Sequence, residues 1–174
     1  MRLTITETAA LLDMPERWIR HERERGVLSG NELDLGDAVY LVVAQEFPIG
    51  TVEARKDLLR RVVAAVADGN LRIGDLVTMD LQPAANEVIA RHGSFERWKE
   101  ERVVATPDVL GGEPRIAGTR LPVRYIGELV RKGASDELRE DYPELTEDDL
   151  HLSSVYARAY PKIGRPRANQ AAPR

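Results

Sequence analysis

The stretch VLGGEPRIAGTRLPV, residues 109–123, decides how the second half of the chain folds. It sets three glycines and two prolines between short apolar runs, and it contains no histidine, cysteine, serine or aspartate. Glycine adopts positive φ at little cost, whereas proline fixes φ and lacks an amide donor. The pattern therefore predicts tight turns around short edge strands, a β-arch that serves as scaffold. The residues predicted to build these turns are Gly112, Pro114, Gly118, Thr119, Arg120 and Pro122.

A phosphate-binding loop is a weaker interpretation of the same stretch. Such loops join a strand to a helix and carry GKS, GKT or a regular GxGxxG spacing. None of these motifs is present.

Three helical segments follow the arch. The pattern predicts helices over residues 123–131, over residues 135–141, and from Thr146 to about residue 159. Pro143 stops the second segment, and Thr146 caps the third. Helices with these turn lengths indicate a homeodomain-like trihelical unit that is entered through the β-arch.

The chain opens with a second helical pattern, LTITETAALLDMPERWIRHERERGVLSG, residues 3–30. An N-capped helix ends in a break at residues 13–15, and a second helix follows over residues 16–25. Two short helices joined by a tight turn have helix-turn-helix geometry. The next segment, VLSGNELDL at residues 27–35, predicts a small hairpin with its turn at Gly30 and Asn31.

The middle of the chain is predicted to connect these two units. Residues 51–69 form an amphipathic helix that suits a connector or a dimerisation element, although ordinary core packing explains the same spacing. Residues 71–81 have strand character. Residues 83–93 and 95–102 are predicted to be two short helices, the latter capped by Ser94.

The predicted fold is mainly α, in four parts. They are a winged helix-turn-helix-like unit at 1–50, a connector at 51–102, the trihelical unit at 103–160 and a basic, disordered tail at 161–174.

The composition limits the chemistry. The chain of 174 residues is 43% apolar and has no cysteine, which excludes disulfides, thiolate zinc sites and cysteine nucleophiles. Its three histidines are scattered without metal-ligand spacing. We therefore expect no catalytic residue, no metal and no cofactor. No apolar run reaches the ~18 residues that span a bilayer, so a cytoplasmic location without membrane contact is expected.

The charge is unevenly distributed. The net charge of −4 is unusual for a general nucleic-acid binder. Acidic residues are concentrated in residues 135–150, whereas the tail at residues 161–174 carries only positive side chains. DNA contact is therefore expected from the first unit alone.

The first unit resembles the opening of the MerR and excisionase winged helix-turn-helix families. The resemblance covers about thirty residues, and Glu22 stands where those families usually have an aromatic residue. It implies that Ile19 packs in the core. The residues that would then contact DNA are Arg17, Arg20, His21 and Arg23. Glutamates interleave with these arginines, so (i, i+4) ion pairs within the helix remain an alternative.

The second half resembles the domain-of-unknown-function 433 family, from TPDVLGG at residue 106 to residue 157. Glu113 departs from the family pattern, which commonly has lysine there. Together the two resemblances imply a VapB-type antitoxin of a type II toxin–antitoxin pair, with a PIN-like ribonuclease toxin and operator DNA as partners and a homodimer as the active form. The residues proposed to contact the toxin are Leu129, Leu145, Leu150, Arg165 and Arg167.

Two other functions fit the same patterns. One is a MerR-like transcriptional regulator whose C-terminal domain senses a ligand or a partner. The other is a protein-interaction adaptor that does not bind DNA.

Overall fold

The computed structural model describes residues 1–47 and 50–162, and this part of the chain is mainly helical, as predicted. Six short strands form three two-stranded antiparallel sheets, β1–β2, β3–β4 and β5–β6. The elements in chain order are β1 (Leu3–Thr4), α1 (Ile5–Leu11), α2 (Glu16–Glu24), β2 (Glu32–Leu33), α3 (Leu35–Glu46), α4 (Val52–Ala65), β3 (Asn70–Ile73), β4 (Val77–Asp80), α5 (Gln82–Arg102), β5 (Val103–Val104), β6 (Arg115–Ile116), α6 (Val123–Arg131), α7 (Ser135–Asp141) and α8 (Glu147–Ala159).

Helices α1 and α2 form the predicted N-terminal pair. Thr4 caps α1, because its hydroxyl accepts from the Glu7 amide at 3.2 Å while the Glu7 carboxylate accepts from the Thr4 amide at 2.8 Å. Residues 12–15 join the two helices, and Asp13 in this connection has a φ of 53°. Pro15 precedes the first turn of α2, where its missing amide donor costs nothing.

The predicted hairpin at residues 27–35 is wrong. Strand β2 pairs with β1 instead, with Leu3 opposite Leu33. Val27 and Leu28, which would have formed the first strand of the hairpin, are buried in the core. Burial of these two apolar side chains and the pairing with β1 replace the local strand pair.

Two apolar clusters make up the interior. The first cluster joins α2, α3, α4, the β3–β4 hairpin and the first half of α5. The second cluster joins the last turn of α1 and the second half of α5 to the arch and the three helices that follow it. The largest fully buried side chains of the first cluster include Tyr40 and Leu41, and those of the second include Phe95 and Ile116.

Helix α5 is continuous, so the predicted break at Gly93 and Ser94 is wrong. It runs for 21 residues and contributes Ala85 and Val88 to the first cluster and Phe95 and Trp98 to the second. A glycine inside a helix costs about 1 kcal/mol, which is small beside the burial of two aromatic side chains.

The arch forms as predicted. Gly112 and Gly118 have φ values of 83° and 81°, which is the left-handed region that favours glycine. Strand β6 pairs with β5 on one side and bridges from Arg115 to Pro122 on the other. The Thr119 hydroxyl donates to the Ile116 carbonyl at 2.9 Å and accepts from the Leu121 amide at 3.1 Å.

The remaining arch residues position the next helix. The Pro114 carbonyl accepts from the Val123 amide at 2.9 Å, which fixes the first residue of α6. Pro122 precedes α6, and Arg120 is exposed.

Helices α6 to α8 begin and end close to the predicted residues. Thr146 and Asp149 form a capping box at the start of α8. Helices α6 and α8 pack most closely at Gly127, where an added Cβ would lie 2.1 Å from the Ser153 carbonyl oxygen. No helix within residues 1–47 and 50–162 is long and apolar enough to cross a membrane.

Candidate functional site

One candidate site is the outer face of α2. Arg17, Arg20 and His21 are exposed on this face, while Ile19 and Glu22 point inward and are fully buried. The spacing of a helix separates these two sets, because residues three and four apart share a face. The structure thus brings three of the four predicted DNA-contacting residues onto one exposed surface.

The charges on this face are only partly paired. The Arg20 Nε donates to the Glu16 carboxylate at 2.6 Å, which is the predicted alternative of pairing within the helix. Arg23 is half-buried and donates to the Asn31 side chain at 2.9 Å. Arg17 makes no ion pair with any residue in the described ranges. Arg17 is therefore the predicted contact whose charge remains fully available.

Glu22 anchors the inner face of α2. Its carboxylate accepts a hydrogen bond from the Tyr40 hydroxyl of α3 at 2.8 Å, and it lies 3.4 Å from the Arg55 guanidinium of α4. Burial raises the pKa of Tyr40, and the bond to the Glu22 carboxylate raises it further. Removing one member of a buried charge pair is strongly destabilising. These three residues therefore hold α2 in a fixed orientation against α3 and α4.

The predicted partner-contacting leucines do not form a surface. Leu145 and Leu150 are 6% and 2% exposed and lie in the second apolar cluster. The prediction that their side chains contact a toxin directly is therefore wrong for this fold. Leu129 is half-buried against the same cluster. The trihelical pattern needs these leucines for its own core, which explains the correction. Arg165 and Arg167 lie outside the described residues.

A groove between α1, α5 and α8 is the second candidate site. It has a volume of about 1030 Å³. Apolar side chains from all three helices line it, including Leu11, Trp98 and Val155. Arg97 and His151 also line it, and neither makes an ion pair with a residue that the structure describes. The groove thus combines an apolar base with cationic or ionisable side chains.

Asp149 stands beside this groove and links two of its helices. Its carboxylate accepts from the Trp98 indole at 2.9 Å and from Arg102 through Nε at 3.0 Å and Nη2 at 2.6 Å. It also accepts from the Thr146 amide at 3.0 Å. Burial alone would raise the pKa of Asp149, but the bonds from Arg102, Thr146 and Trp98 lower it to about 2. Asp149 is therefore an ionised, fully bonded carboxylate that fixes α8 to α5.

A second arginine fixes the other side of the groove. Arg158 of α8 donates to the Ala9 carbonyl of α1 at 3.0 Å and bonds the Asp13 carboxylate at 2.5 Å. The connection between α1 and α2 is thus tied directly to the last helix. Sequence patterns missed this link and that of Asp149, because the partners are more than forty residues apart.

Within residues 1–47 and 50–162, no three histidine, aspartate or glutamate side chains converge as they would to hold a metal ion.

Comparison with known proteins supports the C-terminal assignment. Residues 103–157, from β5 into α8, match the family model described as "Protein of unknown function (DUF433)". A relative from Sinorhizobium fredii (strain NBRC 101917 / NGR234), "Uncharacterized protein y4eO", is 36% identical over 94 residues. The match covers 53% of this chain and 42% of the relative, so it spans less than half of that relative's length. No solved structure matches the chain.

Proposed function

We propose that the protein is the antitoxin of a type II toxin–antitoxin pair, acting as a homodimer. In this proposal α2 binds operator DNA, and the C-terminal half binds and neutralises a PIN-like ribonuclease toxin. The match of residues 103–157 to the DUF433 family supports the second part, because the same segment resembles antitoxins of that family.

The exposed basic face of α2 is the observation that carries the proposal. A helix that enters the major groove needs one face free for phosphates and bases and an opposite face held rigidly by the protein. Arg17 and His21 are exposed on the outer face, where the His21 Nδ1 lies 3.9 Å from the Glu24 carboxylate, and Glu22 holds the inner face through Tyr40 and Arg55. A single module contacts few base pairs, which is why a dimer is part of the proposal.

The groove between α1, α5 and α8 is the proposed contact surface for the toxin. It takes the place of the contact surface predicted at Leu145 and Leu150, because the side chains of these two residues are buried. An apolar base surrounded by charged residues is the usual composition of a protein interface. The groove also includes Asp13 in the connection to α2, so a partner bound there would touch the DNA-binding half as well.

A MerR-like regulator with a ligand-sensing C-terminal domain is the second candidate function. The size of the groove favours it, because about 1030 Å³ is at the upper end of the volumes of ligand pockets, roughly 300–1,000 Å³. This candidate shares the DNA-binding part of the proposal and differs in what occupies the groove.

The DNA-binding part is tested with Arg17→Ala. We expect weaker binding to the DNA upstream of the protein's own coding sequence and a fall of about one in the slope of log affinity against log salt. Arg60→Ala is the matched control. The side chain of Arg60 is 76% exposed on α4, and its substitution removes the same charge at a different place. Equal binding by both variants in an anisotropy titration over a series of salt concentrations would contradict the assignment of α2.

The partner-binding part is tested with Arg97→Glu, which reverses a charge that lines the groove. We co-express each variant with the product of the adjacent gene and measure the partner retained on the tagged protein. Loss of the partner is expected for Arg97→Glu and retention for Arg131→Glu, an exposed arginine of α6. Retention by both would exclude the groove as the contact surface, and tight binding of a small molecule with no protein partner would favour the regulator.

A further inference from the structure

The β3–β4 hairpin exposes apolar side chains at its outer end. Leu71 is buried in the first apolar cluster and Met79 packs against that cluster, and they form the inner end of one hairpin face. The same face continues to Ile73 and Val77 at the outer end, and Val77 is 55% exposed. Leu76, in the turn, is 97% exposed. The apolar face therefore extends beyond the core that the chain itself provides.

One edge of the hairpin is covered and the other is open. The Arg61 guanidinium of α4 donates to the Arg72 carbonyl and covers the outer edge of β3. On the opposite side, β4 pairs with β3 and with no other strand in the described part of the chain. Edge strands are usually protected by lysine, proline or a bulge. The sequence VTMD of β4 has neither lysine nor proline.

The direction of the main-chain groups on β4 follows from the register. Leu81 donates to the Gly69 carbonyl at 2.7 Å, and bonded pairs alternate along an antiparallel ladder. The pairs Leu71–Met79 and Ile73–Val77 are then the bonded ones. The amide and carbonyl of Thr78 consequently point outward, away from β3. The Arg72 carbonyl opposite Thr78 also points outward, since it is bonded by Arg61.

We propose that the open edge of β4 pairs with β4 of a second copy of the chain, antiparallel and centred on Thr78, to form a four-stranded sheet across a twofold axis. This register lets each Thr78 exchange both of its outward main-chain bonds with its counterpart. It also sets Val77 of one copy beside Met79 of the other, on the same face of the sheet. No charge pair is needed at the centre of this interface, because the neutral Thr78 of one copy faces Thr78 of the other.

The occupant is a second copy because the edge complements itself. In this register the two Asp80 carboxylates are not opposite one another, and each Asp80 already accepts from the Gln82 amide of its own α5 at 2.9 Å. A four-residue strand with two apolar side chains, Val77 and Met79, buries less than the ~800 Å² per partner of a stable interface. The dimer is therefore concentration-dependent and is reinforced when both copies bind one DNA molecule. This inference rests on the homodimer of the proposed function and assigns its interface.

The first test removes only the outward amide. Thr78→Pro deletes the intermolecular donor and spares the bonds between β3 and β4, since proline is tolerated where its missing N–H faces solvent. We expect the dimer dissociation constant in analytical ultracentrifugation to rise at least about tenfold. Thr78→Val keeps the main chain and is the matched control, with dissociation unchanged. Equal dissociation of the two variants would overturn the interface.

The second test does not depend on the proline variant folding. The chain has no cysteine, so Thr78→Cys introduces one thiol per copy. The two Cα atoms of a bonded antiparallel pair lie about 5.5 Å apart, within the span of a short thiol cross-linker. Ile89→Cys is the control, because Ile89 is 53% exposed on α5, outside the hairpin. Cross-linking of Thr78→Cys in large excess over Ile89→Cys supports the interface, and equal yields overturn it.

The same samples separate this inference from the proposed function. A parent protein that stays monomeric, yet binds DNA in a manner that requires Arg17, would overturn the β4 interface and leave DNA binding by α2 in place. A dimer that persists in Thr78→Pro would also overturn the interface. The dimer could instead dissociate in Thr78→Pro while Arg17→Ala leaves DNA binding unchanged. This result would support the interface and contradict the assignment of α2.

Discussion

Asp149→Asn removes the negative charge beside the second apolar cluster and keeps the shape of the side chain. The asparagine oxygen can still accept from the Trp98 indole. The variant loses the charged acceptor of the two Arg102 bonds, at 3.0 Å and 2.6 Å. It also loses an acceptor for the Thr146 amide, so the perturbation tests the ionised carboxylate and its hydrogen bonds rather than the packing.

The magnitude follows from the pKa of Asp149. The bonds lower this pKa from 3.8 to about 2, which corresponds to about 2 kcal/mol of the free energy of unfolding. Because the folded-state pKa is depressed, this contribution is complete above pH 4 and is lost as the pH falls from about 4 to about 2. At pH 7 we expect Asp149→Asn to lower the Tm by about 4–8 °C, given roughly 2–4 °C per kcal/mol at this chain length.

Unfolding is followed by the fluorescence of Trp98, whose indole is bonded to Asp149. Trp18 is the other tryptophan, so both proteins carry Trp18→Phe and the signal reports the second cluster. Stability is measured in urea from pH 7 to pH 2.5. Asp148→Asn is the control, because Asp148 is exposed one residue earlier in α8.

The difference between the parent and Asp149→Asn should shrink toward zero at the acid end of this series. A difference that is equally large at pH 7 and at pH 2.5 would show that packing, and not charge, causes it. Equal stability at pH 7 would refute the argument altogether, since an ionised carboxylate with these partners must contribute there.

Two glycine substitutions give opposite outcomes. Gly118→Ala should lower the free energy of unfolding by about 1–2 kcal/mol, because Gly118 has a φ of 81° and alanine is strained there. Gly93→Ala should raise it by about 0.5–1 kcal/mol, because Gly93 lies inside α5 and an added Cβ meets nothing within 4 Å. Urea unfolding of both variants checks the pair, and a Gly118→Ala variant as stable as the parent would contradict the turn assignment.

Local signals were sufficient for much of the C-terminal fold. The capping box at Thr146, the turn at Gly118 and the stop at Pro143 depend on residues close in sequence, and each predicted element formed. The hairpin at residues 27–35 was wrong because β2 pairs with β1, about thirty residues earlier. The break in α5 was wrong because a local glycine signal cannot anticipate two apolar clusters along one helix.

At the candidate sites, too, contacts between residues far apart in sequence could not be predicted. The resemblance to the MerR and excisionase families implied that Ile19 is buried and that Arg17 and His21 lie on an outer face, and α2 has this arrangement. The resemblance could not identify Arg55 as the residue that lies against Glu22, because α4 reaches α2 only in the folded chain. Leucines 145 and 150 were assigned to a surface because an apolar residue on a helix looks the same in sequence whether it packs inward or against a partner.

Helix α1 buries side chains in both clusters. Ile5 and Ala9 belong to the first cluster, while Ala10 and Leu11 belong to the second. A single short helix thus packs in the cores of both halves of the chain. If either half unfolds, apolar side chains in the core of the other half become exposed. We therefore expect the two clusters to unfold together. A protease that opens the C-terminal half also removes the support of α2, so under the proposed function the release of a toxin and the relief of repression would be one event with one rate.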